Sequence, residues 1–314
     1  MGRKIILTID KVINNIVLTI IVVALAFAGY ALWDSNQIYL AADKSHYEVY
    51  KPAVYEVYEE GKSFDELRAI NPEVFAWLTV YGTNIDYPVT QGPDNMKYVN
   101  TNAEGLYSLS GSIFLDYQND RSFSDFNSIL YGHHMEKKTM FGEIGFFSDK
   151  EFFEAHKYGN LYYDGKNHGI EFFAFVHSDA YDGAVFSANI NGEETQEVYL
   201  EGLLNKATHR RDIGVSKEDH IILLTTCSSA STNGRDILAG RITDEVYDDP
   251  FINIEAAGNI SEQPDINIQG CLVKDYLLWL PLLTLIVISR LIYIPVKYII
   301  NLANSRYKRM QIIR

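Results

Sequence analysis

Residues 12–33, VINNIVLTIIVVALAFAGYALW, carry no charge across 22 positions. A helix needs about 20 mainly apolar residues to cross a bilayer core, so this segment is predicted to span a membrane and to confine the polar region beyond it to one side. A cleaved signal peptide fits less well, because the run exceeds the usual apolar core of about 7–15 residues and no small-x-small cleavage site comes after it. A second apolar stretch, residues 276–296 (YLLWLPLLTLIVISRLIYIPV), is interrupted only by Arg290 and holds Pro281 and Pro295. Arginine can snorkel to an interface, and membrane helices tolerate proline, so a second span is expected. A buried or interfacial helix is its alternative, since a charge at the bilayer centre costs at least ~2.5 kcal/mol.

Charge sets the sidedness. Residues 34–275 hold 18 Lys/Arg against 40 Asp/Glu, a net of −22, whereas the flanks hold nine basic residues and a single acid, Asp10. Basic residues flanking membrane segments stay in the cytoplasm, so both tails are expected inside and the acidic middle outside. So acidic a region excludes nucleic acid as a partner, because phosphate contacts need clustered Lys/Arg. The expected organisation is a basic cytoplasmic tail (1–11), a membrane helix (12–33), a loosely packed stalk (34–62), an outward domain (63–250), a linker (251–275), a second membrane helix (276–296) and a basic cytoplasmic tail (297–314).

Within the outward domain, Ser63 and Glu66 form a capping-box pattern before a short helix that must stop near Asn71-Pro72. Beyond it lie eight strand-like runs, at 77–80, 85–89, 111–117, 127–134, 160–165, 169–180, 220–227 and 236–247, rich in Ile, Phe, Tyr and Leu and punctuated by Gly, Asn, Asp and Ser. Between the sixth and seventh, GEETQEVYLEGLLNKATHRR places Val198, Leu200, Leu203 and Leu204 at helical spacing behind a run of acids. Short strands predominate, so a mainly β barrel or sandwich with a few helices is expected. There is no repeat, low-complexity tract, phosphate loop or dinucleotide fingerprint.

The chain has two cysteines, Cys227 and Cys271. Outward-facing cysteines can pair, but Cys271 lies beside the second membrane segment, and a disulfide requires close Cα atoms. As a nucleophile, Cys227 needs a thiolate and hence a nearby cation or proton partner. His133 follows one predicted strand, Cys227 ends another, and Arg235 opens the next. Each also reads as an ordinary residue: His133 with His134 as a surface pair or weak metal ligands, Arg235 as an exposed arginine, Cys227 as core filler.

The residues LLTTC, with an arginine heading the next strand and YGHHM and TMFG upstream, resemble the sortase transpeptidases of Gram-positive cell walls, whose signature is T-L-x-T-C. NPEVFAWLTVYGTNIDYPVTQGPDNMKYV, GSIFLDYQND and the long helical insert are similar to the class B branch, over about Ser63 to Tyr247. The resemblance implies an eight-stranded sortase-type β-barrel with peripheral helices and no cofactor or metal. It implies a thioacyl mechanism acting on secreted proteins with a C-terminal sorting signal, with a peptidoglycan precursor or a pilin lysine as acceptor amine. Carried onto this chain, Cys227 is the nucleophile, His133 the general acid and base, Arg235 the donor to the substrate carbonyl or oxyanion, and Thr226 a hydroxyl or backbone contact for the substrate.

Two departures accompany the likeness. The first threonine of the signature is Leu223, expected to point inward and to affect packing more than chemistry. A C-terminal anchor resembles pilus-building sortases more than the wall-anchoring class B type. Arg241 competes for the arginine role, but six strand positions displace it by nearly 20 Å from Arg235. Two other readings stay open on sequence alone: a papain-like peptidase, which would place its cysteine ahead of its histidine, and a tethered structural or adhesion module with Cys227 inert or disulfide-bonded.

Overall fold

The computed structural model describes residues 2–52, 63–227 and 233–251. The stretch expected to form a second span at 276–296, Cys271 with its possible pairing to Cys227, and stalk residues 53–62 lie outside the described residues. The described residues fall into two units, residues 36–251 and residues 2–35.

Helix α1 runs Gly2–Ala41, beyond both ends of the apolar core at 12–33. Its length follows from the sequence, because no proline occurs before Pro52 and the flanks hold few residues that break a helix. It is long and apolar enough to cross a membrane. Leu25, Phe27 and Leu32 are each at least 68% exposed, a distribution suited to a hydrocarbon surrounding.

The segment after α1 does not lie loosely on the domain as expected. Ala42, Tyr47, within the one-turn helix α2 (Ser45–Glu48), and Tyr50 are at most 4% exposed and belong to the main core. Burying such rings is worth about 1.5–3 kcal/mol each, which outweighs their polar appearance in the sequence. Helix α3, Phe64–Ile70, starts as its pattern requires: the Ser63 hydroxyl accepts from the Glu66 amide at 3.3 Å, and the helix stops before Asn71-Pro72. Its Phe64 meets Trp77 and Tyr162 edge-on.

The strands are β1 (Val74–Val80), β2 (Asp86–Thr90), β3 (Ile113–Leu115), β4 (Asn127–Tyr131), β5 (Tyr158–Tyr163), β6 (Lys166–Asp179), β7 (Ala207–Arg210), β8 (His220–Cys227) and β9 (Gly234–Thr243). Helix α4 (Lys150–Ala155) precedes β5, and α5 (Glu193–Lys206) precedes β7. The hydrogen-bonded order β5-β1-β2-β3-β4-β8-β9-β6 closes on itself through β5–β6, giving eight strands in a barrel, with β7 added outside β6. Residues 207–210, read in the sequence as the tail of the helical insert, form this ninth strand. Ala207 and His209 find partners on β6, and the β-branched Thr208 favours extension.

Alternation along β8 and β9 divides the core. Ile222, Leu224 and Leu238 join the larger cluster with Leu161, Ile170 and Phe172, filling the barrel. Leu223, Ile237 and Ala239 face the other way and are covered by Tyr199, Leu200 and Leu203 of α5. Leu223 is therefore buried, but on the outer, helix-covered face rather than inward; it shares the parity of Cys227.

Candidate active site

Three neighbouring strands position the site. In the parallel β4–β8 pair Tyr131 stands opposite Thr225, and the ladder continues with the Gly132 amide donating to the Thr225 carbonyl at 3.2 Å. His133 and Cys227 are each two residues further on, which puts them at one level. In the antiparallel β8–β9 pair Cys227 stands directly opposite Arg235. Adjacent strands lie about 4.8 Å apart, so His133, Cys227 and Arg235 occupy one row across the barrel, with the cysteine in the middle at the end of β8. Because paired residues share a face and side chains alternate, the Arg235 position belongs to the outer face with Tyr131, Thr225 and Ile237.

The imidazole is anchored. His133 Nε2 donates to the Val99 carbonyl at 2.8 Å, and Val99 ends the short 3-10 turn Lys97–Val99. With a carbonyl on Nε2, neutral imidazole carries its acceptor lone pair on Nδ1. On the other flank, Arg235 Nη1 donates to the Gly234 carbonyl at 3.0 Å, which leaves most of its five N–H groups for another acceptor.

Under this row runs a polar layer that the sequence reading missed. The Tyr131 hydroxyl donates to Asp116 Oδ2 at 3.0 Å, and Asn95 donates to the same oxygen at 2.7 Å. Burial, and then the Asp116 carboxylate, hold the Tyr131 phenol well above its ordinary range, while the Arg235 charge pulls the other way. Ser178, opposite Arg235 on β6, donates from Oγ to Asp182 Oδ2 at 2.9 Å, and Asp182 also accepts from Lys206. Period-two counting back from His133 reaches Tyr131; nothing in the sequence signals the Val99 carbonyl, 34 residues away.

Thr226 stands elsewhere. Its parity puts it on the inner face, 2% exposed, with its hydroxyl lacking a hydrogen-bond partner among the described residues. It shares a row with Asp236 and His177, which are 2.9 Å apart. That row has the carboxylate between the hydroxyl and the imidazole, the wrong order for a base to activate a nucleophile. Arg241 stands opposite Ile221 and is engaged by Glu171 at 2.7 Å and Asp219 at 3.8 Å. Among the described residues no group of three His, Cys, Asp or Glu side chains is placed to hold a metal ion.

No protein-family model matches the chain. The sortase B of Listeria monocytogenes serovar 1/2a (strain EGD-e) is 33% identical over 187 residues, covering 58% of this chain and 76% of that protein. The chain belongs to the sortase B family. This sortase also matches the crystal structure of sortase B from the type II pilus of Streptococcus pneumoniae, at 46% identity and a TM-score of 0.52, over 59% of this chain and 100% of that one. A class B sortase of Streptococcus pyogenes involved in pilus biogenesis matches at 41% identity and a TM-score of 0.53, over 57% and 97% of the two chains. The eight-stranded barrel is thus a sortase barrel, and the enzyme is a cysteine transpeptidase. Family membership sets aside the papain-like and non-catalytic readings.

Proposed function

We propose that this sortase cleaves C-terminal sorting signals outside the cell and passes the acyl group to an amine, with Cys227, His133 and Arg235 as the working set. The observation that carries the reading is the single row the three positions share across β4, β8 and β9. The Cys227 thiolate attacks the scissile carbonyl carbon; the C–S bond forms, and charge collects on oxygen. The forked Arg235 guanidinium supplies preorganised donors to that oxygen. As the C–N bond breaks, imidazolium at His133 gives a proton to the leaving amine. The incoming amine then attacks the thioester, loses a proton to the neutral ring, and expels the thiolate. One group serving as acid and then as base is what a transpeptidation needs. Since Nε2 is held by the Val99 carbonyl, Nδ1 is the nitrogen that exchanges the proton. Thr226 serves through its backbone, because its hydroxyl lies on the far face.

The domain is held to the membrane by α1, and on this reading by a second span at 276–296, with both basic tails in the cytoplasm. Two structural relatives above 40% identity are sortases of pili or pilus biogenesis, which favours a pilin lysine over a peptidoglycan amine as acceptor. The test is to incubate the full chain in detergent micelles with a panel of sorting peptides and both kinds of amine, and to identify cleaved bonds and products by mass spectrometry. An acyl adduct on Cys227 that vanishes in Cys227→Ala, with folding retained, supports the proposal; cleavage by that variant defeats it.

A further inference from the structure

The loop from Gly132 to Phe141 carries His133, and its geometry is costly. Lys138 and Met140 both have left-handed backbone, φ +58° and +54°, a region that side chains with a Cβ rarely occupy and that persists only where the surroundings impose it. Part of the restraint is internal: His134 bridges to Met140, and the Phe141 amide donates to the His133 carbonyl at 3.0 Å. The remainder comes from outside the loop. The Met140 amide donates to the Tyr87 hydroxyl at 3.1 Å, and that hydroxyl donates onward to the Ala42 carbonyl at 2.9 Å. The Lys137 ammonium lies 4.4 Å from the centre of the Tyr39 ring and 3.3 Å from Asn36 Oδ1.

Tyr87 is 1% exposed, so its hydroxyl has no solvent to turn to, and both its hydrogen-bonding roles are taken up in joining the segment after α1 to the histidine loop. Met140, 3% exposed, would keep an unpartnered buried amide if that hydroxyl were removed. We infer that Tyr87 is a positioning residue for His133, and that residues 36–42 form part of the active site by bracing the loop that carries the imidazole. The inference rests on the catalytic role assigned to His133 above.

The test uses the full chain in detergent micelles with Cys271→Ser, leaving Cys227 as the single thiol. Tyr87→Phe keeps the ring and deletes both hydrogen bonds. A misplacement of about 1 Å can cost up to about 100-fold, so a partial loosening is expected to lower kcat about 10-fold with KM changed by less than about 2-fold. Alkylation of Cys227 by iodoacetamide at pH 7 is expected to slow alongside, because a badly placed imidazolium stabilises the thiolate less. The deciding readout is the pair with His133→Ala: in that background Tyr87→Phe should slow alkylation no further. An equal fold-loss in both backgrounds, or kcat unchanged by Tyr87→Phe, overturns the inference. Tyr39→Ala, at a half-buried position outside the core, tests the brace and should lower kcat about 2–3-fold, a small fraction of the effect of full misplacement; no change overturns the role of residues 36–42. If His133→Ala itself alters neither alkylation nor turnover, the fault lies in the catalytic assignment instead.

Discussion

Gly111 offers a way to move the His133 imidazole without touching it. Its φ is +59°, and a Cβ built there would stand 2.5 Å from the Tyr98 carbonyl oxygen and 2.6 Å from that of Val99. The second oxygen is the acceptor that holds His133 Nε2 at 2.8 Å. Relief to ordinary contact needs a retreat of roughly 0.9 Å, given that optimal nonbonded separations lie near 3.5 Å. That retreat exceeds the play in a hydrogen bond, which spans about 0.5 Å in length. Gly111→Ala therefore has two costs: left-handed backbone at about 1–2 kcal/mol, and displacement of the imidazole anchor, a misplacement of a kind that can reduce turnover about 100-fold. Gly165 separates them. It has φ +80° with nothing within 4 Å of a built Cβ, so Gly165→Ala carries the backbone cost alone. Peptide cleavage and thermal unfolding should be followed for both variants. A comparable fall in Tm, about 2–8 °C on the usual size scaling, with turnover lost only in Gly111→Ala, is the expected pattern. If Gly111→Ala folds and cleaves peptide as fast as Gly165→Ala, the Val99 carbonyl does not place the ring.

Arg235→Lys should lower kcat by about 100-fold or more, the loss typical of removing an oxyanion donor, because an ammonium lacks the planar fork; steady-state cleavage rates check this. Arg241→Met should instead leave turnover intact and lower unfolding free energy by about 1–3 kcal/mol, since it strands Glu171 in a partly buried pair. Thr226→Val should keep turnover within about 2-fold and raise stability by up to ~1 kcal/mol, because the buried hydroxyl has no partner among the described residues to lose; a large loss of activity would show that the hydroxyl reaches the substrate. The hydrogen bond from the Lys206 ammonium holds the Asp182 carboxyl below its ordinary range. That pair therefore contributes stability above the unfolded carboxyl pKa, about 4, and loses it as pH falls through the lower folded value. Denaturant unfolding at pH 7 and pH 3 should show Lys206→Met destabilising more at the higher pH than at the lower.

Much of the architecture was legible because it is local. The eight strand-like runs match the eight barrel strands, with bounds shifted by a few residues; the Ser63 cap and the Asn71-Pro72 stop act where the pattern puts them. Ala207–Arg210 escaped because a four-residue strand of mixed burial has no periodicity strong enough to separate it from a preceding helix. The tyrosines at 47 and 50 were read as stalk because alternating aromatic and charged residues look solvated. Only the docking of that segment against the main core buries them. Leu223 was expected inward and lies on the helix-covered face because parity states which residues share a face, but not which face looks into the barrel.

The residues by themselves determined the apolar helix, the acidic outward domain, the barrel class and the identity of Cys227, His133 and Arg235 as chemically capable groups, because these depend on composition, alternation and short motifs. Tertiary structure alone decided that the three positions form one row, that Arg241 is engaged by two carboxylates, and that the imidazole leans on Val99 within a loop braced by Tyr87. Those facts depend on which strands become neighbours and at what register, and barrel closure settles both through contacts between residues far apart in the chain.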